Sequence, residues 1–542
     1  KDLVGFVYGL WSMDHGLSPM SKTIYLTTPL YYVNAAPHIG HSYTSVAADT
    51  LARYHRLKGE PVFLLTGTDE HGQKIAQAAA AAGKTPQAFA DEVVERFREL
   101  WKMLGIQYDY FLRTTEPRHE QAVQDVLTQL QRQLKQAVYQ GWYCTPDETF
   151  WTQEELGDQS GRGPTCPSCQ RPLEPTKEER WDLKLRAHQD WLKRFVAEHP
   201  AFVRPETRYN ELRGLLEQPL PEYLCITRPK SRVSWGIPVP FSTEHVVYVW
   251  FDALLNYVTV PRFLGRAENL WPADLHLIGK DILRHHAVYW PIMLHEMGLS
   301  DDAMPRRIFA HGWWKVGEQK MSKSLGNIVD PTIVITQLLK EQPYAADVYR
   351  YFLLREVPFG QDGLFSEEAL LKRLTTDLGN DLGNLVNRTL SMIDRYCASR
   401  LPSAAGPGCA VDDESLRSLA TAVPAALEHA MSELNFSSAL ETIMRVVTEA
   451  NQYIESQAPW SLAKAGHTAR LHGVLHVLTE VLRIVSIALQ PFMPSVSAAI
   501  WQQLGFEGVP QRLSDAARWP GISDSRALAA HPVLFPRMEA VG

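Results

Sequence analysis

Thr23-Ile24-Tyr25-Leu26-Thr27-Thr28-Pro29, followed by Pro37-His38-Ile39-Gly40-His41, is the stretch on which the fold of this chain turns. The first seven residues read as a buried strand closing in a proline-bounded loop. The next five open a helix that runs to about Lys58. Pro37 suits the helix entry, and Ala47, Ala48, Leu51 and Tyr54 form its inner face. His38 and His41 are three apart on the first helical turn, so their imidazoles are neighbours. A helix N-terminus carries free N–H groups and positive potential. Two imidazoles there suit a polyphosphate. A bare His-x-x-His is more often a pair of surface or capping histidines; the strand–loop–helix setting favours the phosphate reading.

Reading outward, Pro61-Val62-Phe63-Leu64-Leu65 is a second strand, ending in Thr66-Gly67-Thr68-Asp69-Glu70-His71-Gly72. Open α/β sheets bind ligands just past the carboxyl ends of their strands. Asp69 therefore suits a substrate ammonium, or else a helix N-cap. An amphipathic helix over Thr85 to Leu104 leads to a third strand at Tyr108 to Leu112, and a further helix is predicted from Pro117 to Val138. No chemistry is assigned to Arg113-Thr114-Thr115-Glu116. The pattern resumes at Trp235-Gly236-Ile237-Pro238. Val246 to Ala253 reads as a strand running into Leu254, Asn256 and Tyr257. Trp250 and Tyr257 would face one cavity if the segment turns helical after Asp252, and are plain core otherwise. Leu275 to Ile278 is another strand, with Asp281 at its tip suited to a ribose hydroxyl pair. His286 shares a helical face with Ile282. Arg306 to Ala310 is the last strand. Five of these strands, near residues 25, 63, 110, 277 and 308, most of them followed by helices, predict an α/β fold, a parallel doubly wound sheet split by an insertion.

The insertion, residues 141–234, reads as irregular and turn-rich, with an amphipathic helix over Leu183 to Val196. Cys144 and Asp147, then Cys166 and Cys169, are spaced as in a zinc knuckle with one thiolate replaced by carboxylate. A remnant without metal, or unrelated thiols, are the alternatives. A full set of four donors leaves no open position, so such a zinc would be structural.

Lys320-Met321-Ser322-Lys323-Ser324, after Gly317 and before Gly326-Asn327, puts two ammonium groups on a hydroxyl-rich loop. That suits a polyphosphate whose charge grows during reaction; a solvated basic turn is the plainer reading of such a loop alone. Beyond about residue 365 the strand signal vanishes. Residues 366–395, 412–432, 436–456 and 468–490 read as helices of a bundle, with a Pro/Gly/Ala-rich joint over Leu401 to Gly408. Asn384 and Arg388 share one helix face. Asn451, Pro459 and Trp460 end a later helix. An amide, a guanidinium and an exposed Trp suit unstacked bases of a single-stranded loop. The tail from Gly508 is Pro-rich.

The 542 residues imply three or four domains. With 45% hydrophobic and 21% charged residues the composition is that of an ordinary globular protein. A net charge of −7 argues against nonspecific coating of nucleic acid but not against a local basic groove. No run of 18 apolar residues appears. Six cysteines (144, 166, 169, 225, 397 and 409) are too few and uneven for a disulfide framework, which fits a reducing, cytoplasmic setting. Residues 1–20 read as a disordered or added extension rather than a signal peptide.

The His38–His41 and Lys320–Ser324 boxes resemble the paired signatures of class I aminoacyl-tRNA synthetases. Pro29-Leu30-Tyr31-Tyr32-Val33-Asn34, the Thr66–Gly72 stretch, Tyr248-Val249-Trp250-Phe251-Asp252-Ala253, Ile278-Gly279-Lys280-Asp281-Ile282, Asn384-Leu385-Val386-Asn387-Arg388 and Ala458-Pro459-Trp460 resemble the methionyl-tRNA synthetase family, from about Ser21 to Lys464. The resemblance implies a split Rossmann-type sheet with a connective insertion and an all-α anticodon-binding bundle. It implies a ligase that forms methionyl-adenylate from methionine and ATP with Mg2+, then charges initiator and elongator tRNA(Met). Asp69 would hold the α-ammonium. Pro29, Leu30, Tyr32, Trp250, Ala253, Leu254, Tyr257, Ile282 and His286 would line the side-chain pocket, with the Leu30 backbone and the Tyr257 hydroxyl facing sulfur. His38, Gly40, His41, Gly279, Asp281, Lys320, Ser322 and Lys323 would serve ATP, with His38, His41, Lys320 and Lys323 catalytic. Asn384, Arg388, Pro459 and Trp460 would read the anticodon. Pro29 and Leu254 stand where some members carry Ala and Pro, so the pocket wall differs in shape. Asp147 departs from the four-thiolate pattern. A dimerising C-terminal extension is not seen, which predicts a monomer.

The expected layout is an extension at 1–20, the catalytic fold at 21–140 and 235–315, the insertion at 141–234, a loop and stem-contact region at 316–365, the bundle at 366–520 and a tail at 521–542. Rival readings are a synthetase for cysteine, leucine or valine, a small nucleotidyltransferase, and a non-catalytic tRNA-binding relative. A large editing insertion is not seen, the helical C-terminal part exceeds what a small transferase needs, and both histidines and both lysines are retained.

Overall fold

A computed structural model describes residues 22–156, 163–167, 169–317, 319–320, 328–402, 411–523 and 525–538. The extension at 1–20, the 403–408 part of the predicted joint and Met321 to Asn327 lie outside them. Two compact units emerge: Lys1–Pro37, Pro61–Glu99 and Gln107–His311 form one, and His38–Glu60, Leu100–Ile106 and Gly312–Gly542 the other.

The first unit is built on a seven-stranded, all-parallel sheet: β1 (Ile24–Thr27), β2 (Tyr31–Tyr32), β3 (Val62–Asp69), β4 (Tyr110–Arg113), β5 (Val203–Arg204), β6 (Leu275–Gly279) and β7 (Ile308–His311). The order is β4-β3-β1-β6-β7-β5, with β2 pairing the end of β3 through Tyr32↔Asp69. Leu26 pairs with both Leu64 and Leu275, so the sheet switches direction at β1. In such sheets the crevice for ligands opens beyond the carboxyl ends at that switch. Here those ends deliver Thr28 to Leu30, Asp69, and Gly279 to Asp281 to one edge. β3 is buried from Phe63 onward, as a central strand covered on both faces must be. The two short strands, β2 and β5, carry too few residues to show a periodic pattern.

Helix α1 (Ile39–Lys58) follows β2 in sequence and belongs to the second unit. α2 (Pro117–Leu130) stops eight residues short of the predicted end, because Val138 lies in a strand. α3 (Val249–Phe263) takes over where a strand was expected; only His245–Val247 is extended.

The insertion is more regular than its sequence suggests. Lys135–Cys144, Thr149–Trp151, Glu174–Lys184 and Tyr223–Cys225 form a four-stranded antiparallel sheet. Its longest ladder joins Lys135 to Asp182 through Tyr143 to Glu174. Such long-range pairing leaves no local signature, and the charged residues alternating along the strands mask their period. The helix expected over Leu183 to Val196 begins only at Gln189, because the strand runs to Lys184.

In the second unit a helix not predicted from sequence, α4 (Ala345–Arg355), precedes the bundle, whose helices include α5 (Asn384–Cys397), α6 (Phe436–Gln457) and α7 (Thr468–Leu489); the helix predicted over 412–432 is two, Val411–Thr421 and Val423–Ser432. α7 is long and apolar enough to cross a membrane, but 89% of its apolar window is buried within the protein. Fully buried Arg350 locks α1 to α4: it donates to Asp49 at 2.6 Å and to the carbonyls of Leu104, Pro491 and Phe492. The Pro-rich tail is docked. Leu401 N donates to Arg526 O and Leu528 N to Ser399 O, both at 2.8 Å, and Phe535 is buried.

Candidate active site

His38 is the N-cap of α1. Its Nδ1 accepts from Gly40 N at 3.1 Å, and its own backbone N–H donates to His41 Nδ1 at 3.1 Å. Both Nδ1 atoms are acceptors, so each neutral ring carries its proton on Nε2. The rings stack at 3.8 Å. Glycine at position 40 leaves room for the His38 ring, since a Cβ there would sit 2.9 Å from it. Two oriented N–H donors thus crown a helix N-terminus, the arrangement that stabilises phosphate oxyanions. Lys320 ends a short strand, Gln319–Lys320, paired with Trp314–Val316; Ser322 and Lys323 lie outside the described residues.

In the first unit, β1, β3, α3 and the turn after β6 supply the residues expected to hold methionine. Asp69 ends β3, opposite Tyr32. It is 2% exposed, and its Oδ1 meets no donor among the described residues. Burial, with Asp252 and Glu148 nearby, raises its pKa well above the usual carboxylate range. A buried, unpaired carboxylate oxygen is costly until a cation meets it. Ala253, Leu254 and Tyr257 are buried on α3, as is His286, and Pro29, Leu30, Trp250 and Ile282 are half-buried. Trp250 stacks on His285 at 3.7 Å. His286 Nδ1 lies 3.0 Å from Ile282 O, so it is the protonated nitrogen. Nε2 then accepts from the Tyr257 hydroxyl at 2.8 Å. Burial holds His286 neutral, with its pKa down at about 4. The Tyr257 proton is therefore committed to His286, and what the hydroxyl turns to a ligand is its oxygen. Asp281 is exposed at the tip of β6. A Cβ on Gly279 would lie 2.6 Å from its carboxylate, so glycine makes room for it.

Several site-supporting residues were not assigned from sequence. Glu70 accepts twice from Arg113 at 2.7 Å and once from Thr115 at 2.8 Å. Arg113-Thr114-Thr115 thus anchors the loop that carries Asp69. Asp252 accepts from His71 at 2.7 Å and His119 at 2.8 Å, and His119 reaches Thr259 at 2.9 Å. Burial alone would lower the His71 pKa, but Asp252 and Glu120 lift it to about 10. Burial would raise Asp252, yet the two histidines hold it below its ordinary value. This charged bridge ties the end of β3 to α2 and α3. His71 and Asp252 sit inside motifs read from sequence. His119 and Glu148 gave no signal, because their partners are distant in the chain.

Cys144, Asp147, Cys166 and Cys169 converge, with their donor atoms all within 4.8 Å of one another. Cys144 and Cys169 sulfurs are 3.5 Å apart, and Cys166 Sγ is 3.3 Å from Asp147 Oδ2. Tetrahedral zinc with metal–sulfur bonds of about 2.3 Å has edges of about 3.8 Å, so the set fits one structural zinc ion.

In the bundle, Arg388 on α5 pairs with Glu455 at 2.6 Å and lies 5.9 Å from the Trp460 ring, which is 43% exposed. Pro459 is buried. Asn384 lines a separate cavity of about 740 Å³ with Asn380, Asn387, Val533, Phe535 and Met538. Asn451 is turned inward, its amide donating to Asp381 at 3.1 Å, and does not join them.

A parallel sheet switching at β1, a histidine-crowned helix and a helical bundle are the parts of a class I aminoacyl-tRNA synthetase. The family profile described as tRNA synthetases class I (M) matches residues 24–390, and that of the anticodon-binding domain of tRNA ligase matches 413–533. Methionine--tRNA ligase of Caldanaerobacter subterraneus subsp. tengcongensis is 43% identical over 533 residues, covering 96% of this chain and 80% of that protein. The Bacillus subtilis counterpart is 41% identical, covering 96% and 78%. Mycobacterium tuberculosis methionyl-tRNA synthetase in complex with methionyl-adenylate superposes with a TM-score of 0.88 at 39% identity, covering 95% of this chain and 100% of that one. The chain belongs to the methionyl-tRNA synthetase family.

Proposed function

We propose the following division of labour for an enzyme that activates methionine with ATP and charges tRNA(Met). Asp69 receives the substrate ammonium; its buried, unpaired Oδ1 is the observation that carries this reading. Pro29, Leu30, Tyr32, Trp250, Ala253, Leu254, Tyr257, Ile282 and His286 enclose the thioether chain. The methionine carboxylate attacks the α-phosphorus and pyrophosphate leaves, so no protein nucleophile is required. His38 and His41 donate from Nε2 to the phosphate oxygens, and Lys320 and Lys323 balance the charge that develops. Gly40 and Ser322 shape the phosphate cradle, and Gly279 and Asp281 receive the ribose. Mg2+ accompanying ATP would balance the charge of its phosphates. Cys144, Asp147, Cys166 and Cys169 would hold one structural zinc ion. Asn384, Arg388, Pro459 and Trp460 read the anticodon of initiator and elongator tRNA(Met).

In domain terms we assign catalysis to 21–140 and 235–315, the connective insertion to 141–234, the loop and stem contact to 316–365, and the anticodon bundle to 366–520 with its tail at 521–542. We further assign the enzyme to the cytoplasm as a monomer, which light scattering checks. The deciding experiment for the site is ATP–pyrophosphate exchange with each of the twenty amino acids. Exchange with methionine is expected, with the methionine KM raised in Asp69→Asn. Equal exchange in Asp69→Asn and the unaltered enzyme would refute the ammonium assignment.

A further inference from the structure

Glu148 is the residue after the metal donor Asp147 and is not itself one of the four donors. It is 2% exposed and sits at φ +48°, the left-handed region that a side-chain-bearing residue rarely occupies. Its carboxylate accepts from the Tyr32 hydroxyl and, at 3.0 Å, from Lys74 N. Its backbone carbonyl accepts from the Tyr248 hydroxyl. Lys74 closes the arrangement from the other side: its ammonium donates to Pro146 O at 3.0 Å and lies 5.2 Å from the centre of the Tyr32 ring. Gly72, at φ +104°, gives the carboxylate room, because a Cβ there would lie 2.8 and 2.9 Å from its two oxygens. Three separate stretches, β2, the start of the helix after β3, and the segment leading into α3, thus meet on one residue of the insertion. A strained backbone holding a buried carboxylate points to a functional demand at that spot.

We propose that Glu148 is a positioning residue for methionine: the metal-bearing turn delivers its carboxylate to the Tyr32 hydroxyl and so fixes the Tyr32 ring against the substrate side chain. The inference rests on the reading of Tyr32 and Asp69 as methionine contacts. On this view the Cys144–Cys169 cluster shapes the amino-acid pocket through a single hydrogen-bonded residue. A rigidly held wall costs the substrate less ordering on binding than a mobile one. Loss of the wall should therefore appear in methionine affinity, not in the chemical step.

The test compares Glu148→Ala, Glu148→Gln, Tyr32→Phe, the double variant Tyr32→Phe/Glu148→Ala, and Asp69→Asn. The readouts are ATP–pyrophosphate exchange kinetics, zinc stoichiometry and thermal melting. Glu148→Ala is expected to raise the methionine KM about 10-fold, the loss of one buried hydrogen bond that holds the Tyr32 ring. Its kcat, ATP KM and zinc content should stay near those of the unaltered enzyme. Glu148→Gln keeps the shape and one hydrogen bond to each partner, and should recover most of the affinity. The double variant should be no worse than Glu148→Ala alone. An unchanged methionine KM in Glu148→Ala, with Tyr32→Phe and Asp69→Asn impaired, overturns the role of Glu148 and leaves the pocket standing. Normal methionine KM in both Tyr32→Phe and Asp69→Asn refutes the pocket reading itself. Loss of zinc from Glu148→Ala, or a Glu148→Gln variant as poor as Glu148→Ala, also overturns positioning, in favour of knuckle folding or of charge respectively. Should Glu148→Ala fail to fold, the comparison of Glu148→Gln with Tyr32→Phe retains the test through their methionine KM values.

Discussion

At the scale of single residues, this chain separates groups that bind from groups that hold. Asp69 is buried with one oxygen unanswered, whereas Glu70, the next residue, is saturated by Arg113 and Thr115. Only the first has capacity for a ligand. Asp69→Asn is therefore expected to raise the methionine KM by about 1.5–3 kcal/mol, or roughly 10- to 150-fold, the usual worth of a hydrogen bond to a charged group. Initial rates of pyrophosphate exchange against methionine concentration read it directly. Lys323→Ala should behave in the opposite way. Loss of a donor that acts on developing charge typically costs about 100- to 1000-fold in kcat, while equilibrium methionine binding stays unchanged. Comparable losses in both quantities would count against a transition-state role. The motif residues were legible in sequence because their types and spacings are chemical requirements. Glu148 was not, since nothing local in the chain announces that a residue beside a metal donor turns toward Tyr32.

At the scale of elements, the His71–Asp252–His119 bridge sets how firmly the end of β3 is held to α2 and α3. His71 has a raised pKa, about 10, so its contribution to stability is fully present below the ordinary histidine range and is lost as pH climbs through that value. Asp252 has a lowered pKa, so its contribution is present above the ordinary carboxylate range and is lost as pH falls through the lowered value. Stability should accordingly form a plateau between the two and decline on both sides. Asp252→Asn strips the buried histidines of their counter-charge. It should destabilise the first unit by about 3–5 kcal/mol and remove the alkaline limb of that profile, measured as urea midpoints from neutral pH upward. Removal of zinc acts on another element. Chelation should lower the melting temperature, because the four donors gathered within 4.8 Å would then lose the ion that cross-links their two turns, and its binding free energy with it. Helices and central strands were readable from apolar period. The insertion's sheet was not, since its ladder pairs residues such as Lys135 and Asp182, whose polarity carries no strand period.

For the molecule as a whole, the division into two units puts the residues expected to hold methionine in one and the His38–His41 pair in the other, together with the anticodon bundle. Within that second unit, Arg350 fastens α1 to α4 through Asp49. Activation and tRNA selection should therefore be separable by mutation. Trp460 is exposed and far in sequence from every residue assigned to adenylate formation. Trp460→Ala should lower kcat/KM for tRNA(Met) by about 1–3 kcal/mol, the worth of one stacked base, with pyrophosphate exchange unaffected. A parallel fall in exchange would mean that the bundle is damaged as a whole. By itself the amino-acid order determined the alternating strand–helix plan, the His38–His41 and Lys320–Ser324 boxes, the donor quartet and the helical C-terminal part. Each of these depends on residues close in the chain or on side-chain chemistry alone. Tertiary structure alone decided which carboxylate stays unanswered, which histidines are forced neutral and which is held charged, and that an insertion residue reaches Tyr32. Those outcomes depend on burial and on partners brought together from distant segments, and no local pattern encodes them.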